Sequence, residues 1–163
     1  MATSKRLLRS GRERGSIIVE MAVVIPLLLL MVAGIIDLGM LFWEKEVLTN
    51  AAREGARAGA RAGAAGAADK RVSQVRTIVQ DYLQRNNVRT PAGALITLDS
   101  SNCTYTWDTS TPPTLTVGLN NIPAKMMMLP NILPLFSGGG VSSVVNLNAS
   151  ISMAAEWTTT PSP

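Results

Sequence analysis

From Ile17 to Trp43 the chain reads as one apolar helix, with Glu20 and Asp37 near its ends and no charge from Met21 to Ile36. Those 16 uncharged residues make roughly 24 Å of helix, and with their flanks they exceed the roughly 20 residues a bilayer span needs. Pro26 falls inside the run, which membrane helices tolerate, and Phe42 and Trp43 stand where an aromatic belt would lie. From Leu48 to Ala68 the composition shifts to alanine and glycine, predicting a helical continuation. Val72, Val75, Val79, Tyr82 and Leu83 recur every three or four residues, predicting an amphipathic helix over Asp69–Arg85 that Asn86, Asn87 and Pro91 end.

Short strands are expected after that helix, at Ala94–Asp99, Thr104–Trp107 and Thr114–Leu119. The last strand has the cleanest pattern. Leu147, Ala149, Ile151, Met153, Ala155 and Trp157 alternate with Asn146, Asn148, Ser150, Ser152 and Glu156, as in a half-buried antiparallel strand. Ile122–Phe136 is apolar but cut by three prolines; the reading is a loop over the head's core, or else a partner or membrane-surface patch built on Met126, Met127 and Met128. The fold expected is α+β. A basic leader (1–15) precedes a transmembrane helix (16–43), a helical stalk (44–68), a head of one helix and about four strands (69–157) and a loose tail (158–163).

Charge orients this plan. The net charge is +4, and residues 1–15, with five cations against Glu13, account for all of it, so the remainder is neutral and nucleic acid is not an expected partner. Cations before the span keep that end cytoplasmic and send the rest across, a single pass with the N-terminus in and the C-terminus out. A secretory signal would have a shorter apolar core and a small-residue cleavage site after it; this run exits into Trp43-Glu44-Lys45-Glu46. A buried core helix is the other alternative, opposed by the length and the basic flank.

Chemistry is sparse. Histidine is absent and cysteine occurs once, which excludes a His-based triad, a Cys/His zinc site and an internal disulfide. Asp99, Asp108 and Glu156 lack the spacing of a metal site or an acid pair, so neither an enzyme nor a cofactor nor a small-molecule substrate is expected. Cys103 reads as structural, or as the source of an intermolecular disulfide. Gly55, Gly59 and Gly63 fall every four residues on one helix face, beside Arg53, Arg57 and Arg61, and make a candidate small-residue seam for a neighbouring helix; a solvated low-complexity helix is the alternative.

Glu20 is the residue whose place costs most, because a carboxylate inside a lipid-facing helix needs a partner or must reach the headgroups. It is fifth after Gly15 in Arg14-Gly15-Ser16-Ile17-Ile18-Val19-Glu20, a basic leader ending in glycine. This string resembles a type IV prepilin N-terminus. Its continuation through Pro26-Leu27-Leu28-Leu29-Leu30, Gly34-Ile35-Ile36-Asp37-Leu38-Gly39 and Leu48–Ala60 resembles the TadE-like proteins of the Flp/Tad pilus system, strongly over residues 14–60 and faintly beyond.

The resemblance implies a bacterial minor pilin or pseudopilin of the smaller TadE/TadF type, in the inner membrane or extracted into a pilus. It implies cleavage by a prepilin peptidase between Gly15 and Ser16, and pilin subunits, the Tad assembly platform and membrane lipid as partners. Cleavage would free an amine at Ser16, cationic at neutral pH and about 6 Å along the axis from Glu20. The resemblance favours pairing of that amine with Glu20 of the next subunit. The competing reading is an uncut single-pass protein whose external head binds a protein partner.

Overall fold

The apolar run and the alanine-glycine segment form one helix, α1 (Arg9–Arg61), in the computed structural model, which describes residues 9–61, 68–108 and 111–155. The amphipathic pattern forms α2 (Ala68–Arg85), and a three-stranded sheet follows as β1 (Cys103–Asp108), β2 (Thr114–Lys125) and β3 (Val144–Ala154). Two short helices, α3 (Leu129–Ile132) and α4 (Pro134–Ser137), interrupt the path from β2 to β3. Contacts divide the chain into two compact units. Of the described residues, one holds those up to Leu38 with Met127–Val141; the other holds those of Gly39–Met126 and from Ser142 on.

The second unit is the head. Its sheet is antiparallel in the order β1-β2-β3, with Tyr105 opposite Val117 and Val117 opposite Ile151. Leu115, Val117 and Leu119 of β2 are fully buried, while Thr106 and Ser152 line the exposed face, the alternation expected of a sheet covered on one side. The cover is helical. Val75, Val79 and Leu83 of α2 share one core with Leu48, Ala51, Ala52 and Ala56 of α1.

From Val47 onward, α1 supplies head core. Alanine and glycine suit this role because small residues let other elements pack close to the helix axis. Gly63, Glu156, Trp157 and the tail lie outside the described residues.

Helix α2 ends where its asparagines stand. Asn87 takes a left-handed conformation (φ 57°), the Val88 N–H donates to Leu83 O (3.0 Å) and the Asn87 N–H to Gln84 O (3.0 Å). That is a Schellman termination, with Val88 and Leu83 both in the core.

Two strand expectations need correction. Ala94–Asp99 is not a strand, so the described residues form a sheet of three strands rather than about four. Ile96 and Leu98 are buried as the alternation required, but α2 side chains serve the backbone there. Leu98 N–H donates to Gln80 Oε1 (3.0 Å), and Gln84 Nε2 donates to Ile96 O (3.1 Å). All that is left of the ladder is an isolated bridge, Arg89 to Leu95.

Conversely, β2 runs on past Leu119 into the segment expected as a loop. Asn120 and Asn121 bulge opposite Asn148, and the Asn121 N–H donates to Asn148 Oδ1 (2.7 Å). Pro123 fits this extension because β1 pairs only as far as Leu119, so on that side no ladder bond is lost. From Met127 to Val141 the chain groups with the N-terminal helix, not with the head's core.

Candidate functional site

The N-terminal unit carries the residues singled out for processing and assembly. Gly15, Ser16 and Glu20 lie in α1 and are all exposed, and a Cβ built on Gly15 would meet nothing within 4 Å. Helical spacing puts Ser16 and Glu20 one turn apart on one side. Downstream, α1 is long and apolar enough to cross a membrane, and only 6% of its most apolar window is buried. Ile18, Val23, Leu27, Met31 and Ile35 each expose more than half their surface. A helix apolar all round and bare of protein cover is built for lipid or for other helices.

From Gly15 to Leu38 the shielded residues are few and share one face: Pro26, Leu30, Ala33, Gly34 and Asp37, of which Asp37 is 1% exposed. Its carboxylate binds the start of α3. Met127 N–H donates to Oδ1 (3.0 Å), Met128 N–H lies between both oxygens (3.0 and 3.1 Å), and Leu129 N–H donates to Oδ2 (2.7 Å). An ionised carboxylate only accepts, and here it finds three donors. Sequence reasoning placed Asp37 at the end of the span and missed this role. The available signal was a helix start at Leu129-Pro130 that lacks a side-chain cap of its own.

The glycines expected as a seam for a neighbouring helix make their close approach within the chain. At Gly55 a Cβ would collide with the Val79 side chain and stand 3.2 Å from Val75 Cγ1; at Gly59 it would collide with Leu115 and stand 3.1 Å from Val75 Cγ2. At Gly55 and Gly59 the space beside the helix is filled by side chains of α2 and β2. Arg53, Arg57 and Arg61 lie on the exposed side, as their row predicted.

Cys103 is buried in the head, its Sγ 3.0 Å from Tyr105 Oη. Burial pushes the Cys103 thiol up from its ordinary range, and burial with the Cys103 contact pushes the Tyr105 hydroxyl up as well. A thiol so placed is a poor nucleophile. We expect the native full-length chain in detergent to resist iodoacetamide at mildly alkaline pH and to alkylate on unfolding in guanidinium. Rapid alkylation of the native chain would show an open thiol, as an intermolecular disulfide requires.

No curated protein and no solved structure matches the chain. One family does match. Residues 15–57 fit the family described as TadE-like protein, a stretch holding the Gly15–Ser16 junction, Glu20, the apolar run, Asp37 and Gly55. Over that stretch, from the junction into the part of α1 that supplies head core, the chain is similar to TadE-like proteins.

Proposed function

We propose that the protein is a structural minor pilin (pseudopilin) that takes part in assembling a Flp/Tad-type pilus. The observation that carries the reading is the TadE-like match over a helix whose apolar surface is bare of protein cover. The helix sits in the bacterial inner membrane as a single pass, with the basic N-terminus cytoplasmic and the head outside. Prepilin peptidase cuts between Gly15 and Ser16, at an exposed junction without side-chain obstruction. The freed Ser16 amine then pairs with Glu20 of an adjacent subunit, and the outward apolar face of residues 17–43 packs against other pilins or the Tad assembly platform. Because Gly55 and Gly59 are filled by the head, the intermolecular helix contact lies upstream of Val47.

One co-expression experiment tests processing and topology together. With a prepilin peptidase present, intact-mass measurement should show loss of Met1–Gly15, and a reporter active only outside the cytoplasm should work when fused after Pro163. A full-length mass favours the uncut protein whose head binds a partner. A silent but stably expressed fusion overturns the orientation.

A further inference from the structure

Met127–Val141 contains no charged residue, and it exposes large apolar side chains: Leu135 is 82% exposed, Met127 56% and Phe136 46%. Such a surface is poorly suited to water. Most of its backbone N–H groups up to Gly138 are taken close by. Of the twelve positions from Met127 to Gly138, three donate to Asp37 and six (Asn131, Ile132, Leu133, Phe136, Ser137 and Gly138) donate to carbonyls of the same segment. Pro130 and Pro134 have no N–H to place. Gly138, in the left-handed region at φ 65°, closes α4 by donating to Pro134 O. Water does not demand that economy of donors. Hydrocarbon does, because each unsatisfied N–H there costs several kcal/mol.

We infer that Met127–Val141 is a second membrane element, lying at the acyl–headgroup boundary of the leaflet at the Asp37 end of α1, with Asp37 as its tether. The inference rests on the reading of α1 as a membrane span. Ile17 to Ile36 is twenty residues, roughly 30 Å of helix and one hydrocarbon thickness, so Asp37 stands at the boundary itself. Lipid is the occupant the observations favour. The segment belongs to the same compact unit as the bare apolar helix, so the medium that covers the helix is continuous with the surface of Leu135 and Phe136. Three backbone donors let the Asp37 carboxylate sit at that depth without another charge.

The test is spin-label depth measurement on the full chain in phosphatidylglycerol/phosphatidylethanolamine nanodiscs. Nitroxides are placed by Leu135→Cys, by Leu28→Cys within the span and by Thr97→Cys on the head's exposed surface, with the parent chain reporting any label at Cys103. At Leu135 oxygen should collide severalfold more often, relative to a water-soluble nickel chelate, than at Thr97. Combining Leu135→Cys with Asp37→Ala should shift the label toward the nickel-accessible range and loosen its spectrum, while Leu28 stays in lipid. A Leu135 label as open to nickel as Thr97 overturns the inference. So does an immobilised label shielded from both reagents, which would mean a protein surface covers the segment. If Asp37→Ala leaves the Leu135 label unmoved, the tether is refuted. Should Leu28 also prove open to nickel, the span itself fails, a result distinct from failure of the Leu135 arm alone.

Discussion

Gly59→Leu should lower the melting temperature of the head by roughly 8–16 °C, read from near-UV circular dichroism of the full chain in detergent. The added Cβ alone would collide with Leu115 and crowd Val75, and both of those residues are buried, with little room to retreat. Overpacking a closed core costs about 1–3 kcal/mol, and a branched side chain wedged between α2 and β2 belongs at the upper end. Leucine also favours helix over glycine by up to about 1 kcal/mol, so the observed loss is what remains after that gain. Arg57→Leu adds a similar side chain two residues away on the exposed side and should change stability by no more than about 0.5 kcal/mol. Equal effects from the two substitutions would remove the seam from the account.

Glu20→Ala should leave membrane insertion and leader removal in place but abolish recovery of the processed protein with sheared pili or partner pilins. Insertion is preserved because the change removes a carboxylate from an apolar helix, which lowers the cost of immersion. Processing is preserved because the junction at Gly15 and Ser16 is about one helical turn from Glu20 and unobstructed. What is lost is the partner for the freed amine of a neighbouring subunit, in a medium where an unpaired cation is costly. A blot for the processed form separates failed assembly from failed maturation. Undiminished incorporation would return Glu20 to the role of a charge at headgroup level.

Local order was legible in the residues, and distant pairing was not. The apolar run, the α2 spacing and the β3 alternation each follow from one period, and each forms the element it predicts. Ala94–Asp99 shows the limit of that reasoning. Ile96 and Leu98 point inward as in a strand, but Gln80 and Gln84 occupy the backbone groups that a neighbouring strand would need. Period records which side is buried, not which donor or acceptor completes the backbone. The glycine spacing likewise announced a close approach at Gly55 and Gly59 without saying that Val79 and Leu115 would fill it. Of the candidate site, Gly15, Ser16 and Glu20 were named by a local string, and Asp37 was not, because its meaning depends on backbone groups 90 to 92 residues away.

That separation gives the contact a place in time. A ribosome adding about 5–20 residues per second reaches Leu129 roughly 5–20 s after Asp37. Throughout that interval the nascent helix carries a carboxylate whose three donors have not yet been made, and water or another protein must hold it. Chains that stop before Leu129 keep it in that condition. The last third of the polypeptide thus supplies the donors that complete a carboxylate made in its first quarter.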